Sequence, residues 1–342
     1  MNRNRLMLVI ALLTPYPVLA EVHKVEAKTY YLTFFHGHPV LQRVKSGDRV
    51  ITKTIDAGGQ DDKGVQRPES GNPLTGPFYV EGAEPGDALA VRFLRVSLNR
   101  NWGYTRYRLG LFSLTPEHVE TLYPLRYKEN LIHKGRADIV PWDLDLERKL
   151  ARLREPVSQR IKLEFATKPM LGCVGVAPAG DFAPTSGPSG AYGGNLDYNE
   201  IVEGVTVILP VYHPGGLLFI GDGHALQGDG EPTGTGIETS LDVEFEVEVR
   251  KKADVTGPRV ENSDHLISIG SQPEFASSLD NALKMATTDM VRWLVNEYQL
   301  EPWAAHLLIG YQARYDVVTV MGSMALKIPK KHLPQRPGSI NR

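Results

Sequence analysis

The stretch that decides the fold class reads LDVEFEVEV and runs from Leu241 to Val249. Apolar and acidic residues alternate along it, and a period of two is typical of a β-strand that buries one face. Valine and phenylalanine, which favour strands, supply most of the apolar face. We expect the acidic residues Asp242, Glu244, Glu246 and Glu248 to form a solvated face that blunts a sheet edge, without chemistry of their own.

The same kind of pattern recurs on both sides of this strand. Alternation or short apolar runs predict further strands at Thr29–Phe35, Arg49–Ile55, Ala88–Val96, Gly204–Pro210 and Gly216–Gly221. The 33 glycines and 24 prolines suit many short strands joined by turns. Two long loops are also predicted, a polar one at Gly58–Gly76 and a Gly/Pro/Ser-rich one at Pro178–Asn195, which we interpret as a binding loop. The sequence therefore predicts a mainly β (α+β) protein.

The period changes near the C-terminus, where a helical part is predicted over residues 275–315. Ser278 is placed to cap a first helix, and Pro302 stands in the first turn of a second helix that ends near Gln312. Asp316–Met324 is predicted to be a closing strand. Residues 97–160 are harder to read and are interpreted as an insertion or subdomain, with a short surface helix expected at Glu147–Arg154.

The first 20 residues have the plan of a secretory signal peptide. Arg3 and Arg5 precede the apolar run Leu6–Leu13, and small residues end at Ala20. The alternative is an N-terminal anchor that stays attached. We expect a mature chain of residues 21–342 that is periplasmic or secreted. It has no further stretch apolar enough to cross a membrane.

Composition limits the classes of function. The formal net charge of −2 provides no basic surface for nucleic acid. Cys173 is the single cysteine, so an internal disulfide is impossible, and its apolar surroundings indicate a core residue rather than a nucleophile.

The segment Gly221–Glu231, GDGHALQGDGE, is rich in side chains that can bind a metal or transfer a proton. If residues 225–228 formed a hairpin loop, His224 would lie opposite Asp229 and Asp222 opposite Glu231. One face would then carry three carboxylates and an imidazole, and carboxylates this close cannot all stay ionised unless a positive charge lies among them. Their mixture suits a divalent metal, zinc before calcium. The alternative is a hydrated acidic surface hairpin.

Three further residues are candidates for the same site. Asp197 ends a Gly-Gly-Asn-Leu-Asp run in which the backbone can approach a ligand closely. Glu238 stands where the chain enters the Leu241 strand and is placed to act as a general base. His36, in the run Phe34-Phe35-His36-Gly37-His38, is a weaker candidate, because a histidine after two aromatics is more often structural.

With these residues in view, the chain resembles the acetamidase/formamidase family. The resemblance is carried by Leu74–Asp87, Gly193–Asp197, Leu209–Gly215 and Gly221–Glu231 with Gly236–Glu238, in this order. It covers most of the mature chain apart from residues 97–160.

The resemblance implies jelly-roll-like β-sandwiches with a smaller α/β part, and a homo-oligomer that hydrolyses formamide or acetamide to ammonia and a carboxylate. One related type opens γ-lactams. By position, the family's metal site falls on Asp197, Asp222, His224 and Glu231, with His36 as the N-terminal contributor.

On this hypothesis Glu231 or Glu238 takes the proton of a metal-bound water, and Asn195 and Gln227 hold the amide or the oxyanion. A rival hypothesis from another class is a non-catalytic, calcium-dependent carbohydrate-binding β-sandwich. Two features weigh against it. Calcium prefers oxygen ligands to His224, and the region offers few aromatics for a sugar, mainly Tyr198, Tyr212 and Phe219.

Overall fold

The computed structural model describes residues 20–106, 113–115, 117, 139–155, 159–271 and 278–337. Within these residues the chain is mainly β, as predicted, and its strands form two sheets. Strands β1–β20 and helices α1–α2 are numbered along the chain.

The first sheet contains nine described strands. Its order is β1 (Val22–Lys24), β3 (Arg49–Lys53), β16 (Leu241–Arg250), β5 (Ala88–Leu98), β13 (Thr206–Pro210), β17 (Arg259–Glu261), β18 (His265–Ser271), β20 (Ser323–Pro329) and β19 (Arg314–Thr319). Its strand pairs are antiparallel except for β1 with β3.

The second sheet contains eleven described strands and holds the candidate site. Its main order is β11 (Ser189–Gly190), β12 (Gly193–Asn195), β10 (Met170–Val176), β14 (Leu218–His224), β15 (Glu238–Thr239), β6 (Trp102–Arg106), β7 (Ile139–Asp145), β8 (Leu150–Leu153) and β9 (Glu164–Ala166). Off this path, β4 (Leu74–Val80) pairs with β14 and with β2 (Gln42–Val44).

The main core lies between the two sheets. Alternate residues of β5 and β16 pack there against residues of β10 and β14, and Phe78 of β4 meets Phe245 of β16 edge to face at 5.3 Å between ring centroids. Because both inner faces are apolar, their burial stabilises the sandwich by the hydrophobic effect.

The predicted C-terminal helices are confirmed and cover the outer face of the first sheet. Helix α1 (Leu279–Tyr298) begins where the Ser278 side chain accepts a hydrogen bond from the Asn281 amide, and helix α2 (Pro302–Gln312) begins at Pro302. Met290, Trp293 and Leu294 of α1 pack with Ile208 of β13 in a second buried cluster. No helix among the described residues is long and apolar enough to span a membrane.

Several local predictions were wrong. The Leu241–Val249 strand is confirmed with its apolar face buried, but β16 lies between β3 and β5 instead of at an edge. Its carboxylates are compatible with an inner strand because arginines of the neighbouring strands pair with them, as Arg49 does with Glu244.

Other errors concern the element type. Thr29–Phe35 forms only isolated bridges. The Glu147–Arg154 segment is a turn followed by β8 rather than a helix, because its apolar residues pack in a small cluster with Trp142. The C-terminal strand is a hairpin of two, β19 and β20. Much of residues 97–160 lies outside the described residues, and the described parts extend the second sheet.

Candidate active site

Two strands that flank β10 bring Asp197 and Asp222 together over Gly172. Asp197 follows β12 and donates its amide to the Gly172 carbonyl at 3.1 Å, while Asp222 lies in β14 on the other side. A Cβ at Gly172 would come within 2.5 Å of Asp197 Oδ1 and of Asp222 Oδ2. A glycine is therefore required for the two carboxylates to approach one another.

His224 and Glu238 form the next part of the site. The residues pair directly across β14 and β15, and the imidazole Nε2 lies 3.1 Å from Glu238 Oε1 and 3.6 Å from Asp222 Oδ1. The predicted hairpin register was therefore wrong, since the loop after His224 is longer than four residues and Glu238 takes the position expected for Asp229. Gly236 lies against the ring, where a Cβ would meet it at 2.8 Å.

Glu231 completes the cluster from the loop between β14 and β15. One ligand atom each from Asp197, His224 and Glu231 lies within 4.8 Å of the others, and the same holds for Asp222, His224 and Glu238. His224 belongs to both groups and is the centre of the site. Glu231 is partly exposed, whereas the other four residues are buried.

The backbone at this site adopts conformations that L residues rarely adopt. Asn72, Asp197, Asp222 and Glu231 have positive φ values of 56°, 46°, 54° and 49°. Each left-handed non-glycine residue costs free energy, of the order of 1–3 kcal/mol, and such residues concentrate at functional sites. The concentration of four of them around one group of carboxylates favours a functional reading.

The polar atoms of the cluster are largely without hydrogen-bond partners among the described residues. These unpaired, buried atoms are Asp197 Oδ1, Asp222 Oδ1, Glu238 Oε2 and both ring nitrogens of His224. The His224 contacts are within ion-pair distance but lack hydrogen-bond geometry. A buried polar group without a partner costs about 1–3 kcal/mol, so this arrangement requires a compensating ligand.

The electrostatics of the cluster agree with its geometry. Burial, together with repulsion from Glu231 and Asp222, raises the pKa of Asp197 well above its usual range. Burial also raises the pKa of Glu231 to about 8 and that of Glu238 to about 7, against the attraction of His224. Burial opposes a charged imidazole at His224, but Glu238 and Asp222 outweigh it and raise its pKa well above the ordinary value.

These residues fit a divalent cation. A cation would neutralise the carboxylates, take the place of the missing hydrogen-bond partners and bind the unprotonated imidazole. The donor set of one imidazole and several carboxylates is one that zinc accepts.

The four carboxylates of the cluster line a cavity of about 410 Å³. Its lining also includes residues of the loop 57–72 and Tyr104 and Arg106 of β6. Arg100 holds this loop in place, because its buried guanidinium donates to Asp56 Oδ2 at 2.6 Å and to the Asp61 carbonyl at 3.1 Å. A volume of this size accommodates a small organic ligand.

Asn195 and Gln227, predicted to bind substrate, lie beside Asp197. The Asn195 side chain donates to Asp197 Oδ2, and its own Oδ1 accepts hydrogen bonds from Cys173 Sγ at 2.9 Å and Asn72 Nδ2 at 3.3 Å. Gln227 donates to the Asp197 carbonyl at 2.5 Å. These contacts orient Asp197. Of these two residues, Asn195 lines the cavity and Gln227 is not among the described residues that do so.

The structure does not bring His36 into the cluster. Its Nε2 lies 3.0 Å from Asp181 Oδ1, and its ring stacks on His213 at 4.5 Å between centroids. The segment that carries it forms bridges and turns at the surface instead of a strand that leads into the site. Asp229 is also absent from the cluster, because it accepts a hydrogen bond from Asn199 on the surface.

Sequence reasoning missed Asn72, Tyr104 and Arg106. Asn72 donates to Asp222 Oδ2 at 3.3 Å, and its position directly before the Leu74–Asp87 motif was an available signal. Tyr104 and Arg106 gave no signal, because they belong to the unreadable region 97–160. Cys173 is fully buried, as predicted, and burial raises the pKa of its thiol, which does not suit a nucleophile.

Comparison with known proteins decides the family. The model of the acetamidase/formamidase family matches residues 24–186 and 182–276. The chain belongs to this family.

Individual relatives agree with the assignment. The formamidase of Methylophilus methylotrophus is 28% identical over 246 residues, which cover 57% of this chain and 57% of that protein. The chain spans about half the length of the curated relatives that it matches. Among solved structures, an acetamidase from Yersinia enterocolitica has a TM-score of 0.74 with 26% identity, covering 92% of this chain and 93% of the other. An acetamidase/formamidase from Thermoanaerobacter tengcongensis has a TM-score of 0.71 with 27% identity, covering 91% and 96%.

Proposed function

We propose that this acetamidase/formamidase family member hydrolyses the C–N bond of small linear amides, releasing ammonia and a carboxylate. The observation that carries the proposal is the cluster of Asp197, Asp222, His224, Glu231 and Glu238, whose four carboxylates line a cavity of about 410 Å³. Amide hydrolysis needs an activated water and a group that returns a proton to the leaving amine, and the cluster has residues suited to both. The sugar-binding alternative has no comparable support, since Tyr104 is the one aromatic among the described residues that line this cavity.

Asp197, Asp222, His224 and Glu238 are the proposed holders of a divalent cation, zinc before calcium because of the imidazole. Such an ion supplies Lewis-acid polarisation of the amide carbonyl and lowers the pKa of a bound water. The unpaired buried atoms of these four residues support the assignment.

Glu231 is the proposed general base. It is the partly exposed carboxylate of the cluster and lines the cavity, where it can reach a water and a substrate. In the metal-free site burial raises the pKa of Glu231 to about 8, and a bound cation would lower it toward the range in which the carboxylate accepts a proton near neutral pH. Glu238 is buried against His224 and is fixed by the strand pairing. We therefore assign Glu238 to the cation and Glu231 to proton transfer.

The function is tested by an ammonia-release screen over formamide, acetamide, longer linear amides and simple lactams. We expect turnover of at least one small linear amide by the purified protein and none by the His224→Ala variant. Equal turnover by wild type and His224→Ala would contradict the proposal. Lactams belong in the screen because the cavity of about 410 Å³ has room for a cyclic amide.

We also propose export and removal of residues 1–20. A contact at the start of the mature chain supports this. The Glu21 backbone nitrogen lies 2.9 Å from Asp48 Oδ1, and Asp48 also contacts His23 at 2.9 Å. Cleavage after Ala20 would turn the Glu21 amide into a charged ammonium beside a buried carboxylate, which strengthens the contact. N-terminal sequencing of protein recovered outside the cytoplasm tests it, and an N-terminus at Met1 would contradict it.

We further propose that the protein is a homo-oligomer. Trp303, Leu307 and Tyr311 of α2 are 68%, 49% and 80% exposed and recur at a spacing of four, so they form an apolar stripe on one helix face. Light scattering of wild type and a Trp303→Glu/Tyr311→Glu variant tests the idea. A monomeric wild type would contradict it.

A further inference from the structure

Beside the cavity of the carboxylate cluster, hereafter the inner cavity, lies a second one of about 960 Å³, the outer cavity. Ser70, Tyr104 and Arg106 line both, so the two cavities adjoin at these three residues, hereafter the passage. The outer cavity adds Trp102, Ile139 and Pro141, which give it a partly apolar wall. Formamide has three non-hydrogen atoms, whereas cavities of several hundred Å³ suit much larger ligands. The two cavities therefore indicate a substrate that extends beyond its amide group.

The Arg106 guanidinium stands at this passage without a carboxylate partner in the described part of the chain. Its Nη2 donates to Ser70 Oγ at 3.0 Å. The other arginines of the outer cavity are already paired, Arg67 with Asp61 at 2.7 Å and Arg154 with Asp143 at 2.8 Å. Among the arginines of the described residues that line the outer cavity, Arg106 is therefore the one available to bind an anionic group.

An independent observation at the passage comes from Tyr104. Its side chain is 6% exposed, and its hydroxyl has no hydrogen-bond partner among the described residues. Tyr104 and Arg106 are two apart on β6, so both side chains project to the same side of the strand. A buried hydroxyl without a partner is costly, and a polar ligand in the passage would satisfy it.

We infer that the preferred substrate is a primary amide that carries a carboxylate, such as the monoamide of a short dicarboxylic acid. This inference rests on the proposed amide hydrolysis. The amide lies at the carboxylate cluster, and the distal carboxylate accepts hydrogen bonds from Arg106 and Tyr104. Water adds to the amide carbon, the C–N bond breaks, and the nitrogen leaves as ammonia, so the products are ammonium and a dicarboxylate.

The acidic cluster and Arg106 together determine the orientation of an anionic substrate. When ionised, the four carboxylates of the inner cavity carry more negative charge than one divalent cation neutralises, so a further carboxylate is disfavoured there, while Arg106 attracts it at the passage. An anionic amide is therefore oriented with its neutral amide inward.

The test compares kcat/KM for the monoamides of malonic, succinic and glutaric acid with that for the neutral amides propionamide, butyramide and pentanamide. We expect the best anionic amide to exceed its neutral counterpart by about ten- to a hundredfold, the range of one charge-assisted contact. Arg106→Gln should bring this ratio close to one, and Arg106→Lys should restore part of it. Arg154→Gln is the matched control, because it removes a paired arginine of the outer cavity and should leave the ratio unchanged.

Binding of the succinic monoamide, measured by calorimetry on wild type and Arg106→Gln, separates this inference from the proposed function. Hydrolysis of neutral amides with no preference for the anionic ones overturns the inference and leaves the proposed function standing. If no amide is hydrolysed but the monoamide binds wild type and not Arg106→Gln, the anion site stands and the proposed function fails. Equal binding by both proteins overturns the anion site.

Discussion

Two buried groups of charges in this molecule are arranged in opposite ways. Between β17 and α1, Arg259 donates to both oxygens of Asp289 at 2.7 and 2.9 Å, and its guanidinium also faces the ring of Trp293. In the carboxylate cluster, one oxygen each of Asp197, Asp222 and Glu238 has no hydrogen-bond partner among the described residues. The first group is satisfied within the fold, whereas the second is not.

The difference separates a structural role from a functional one. A buried ion pair with its hydrogen bonds made keeps α1 on the first sheet and needs nothing from outside. Buried carboxylates with unpaired oxygens and left-handed backbones cost stability instead of supplying it. We therefore expect substitutions in the first group to change mainly the free energy of unfolding, and substitutions in the second to change mainly activity.

The largest expected effect is on turnover. Glu231→Gln keeps the shape of the side chain but removes the proposed proton acceptor, so kcat for the best amide should fall by about 10²- to 10⁴-fold. Metal content, measured by elemental analysis, should stay that of the wild type. Asp229→Asn is the control in the same loop, since Asp229 is exposed and contacts Asn199, and it should keep wild-type turnover. A Glu231→Gln variant with unchanged kcat would exclude Glu231 as the base.

The next effect is on stability. Asp289→Ala removes both hydrogen-bond acceptors that Asp289 offers the buried Arg259 and leaves Glu297 at 3.6 Å, so it should lower the free energy of unfolding by up to about 3–5 kcal/mol. Denaturant titration measures this, and the folded variant should retain the kcat/KM of the wild type. The control is Asp254→Ala, because the ion pair between Asp254 and Arg292 is exposed and should change stability by about 1 kcal/mol or less. Equal losses in the two variants would contradict the distinction.

Local sequence signals predict the elements of this fold better than they predict the pairings within its site. The alternation of Leu241–Val249 and the cap at Ser278 are local signals, so the strand and the helix were predictable. The site residues lie in glycine-rich segments that can be recognised from the sequence alone. They are Asp197, Asp222, His224, Glu231 and Glu238. The pairing of His224 with Glu238 depends on the length of the intervening loop, which no local pattern fixes. Asn72 and Arg106 reach the cavity through the tertiary fold, and only the structure reveals them.

A further effect, on the pH dependence of stability, follows from the raised pKa values. In the metal-free protein Glu231 and Glu238 have pKa values of about 8 and 7, above that of an unfolded glutamate. Between about pH 5 and 8 the folded state therefore holds protons that the unfolded state has lost, and stability falls as the pH rises, by up to about 1.4 kcal/mol per pH unit for each group. Denaturant titrations of chelator-treated protein at several pH values measure this fall, and Glu231→Gln should reduce it. A stability that rises over this range would contradict the pKa directions.

The most direct test of the central claim measures metal content and amide turnover together. The mature protein is treated with a chelator, dialysed, and reloaded with zinc, and ammonia release is followed at each stage beside the His224→Ala variant. We expect about one divalent ion per chain in the active protein, loss of turnover on chelation, and its return on reloading. For His224→Ala we expect neither metal nor turnover. Full turnover by wild-type protein that contains no divalent metal would contradict the assignment of the carboxylate cluster to a cation.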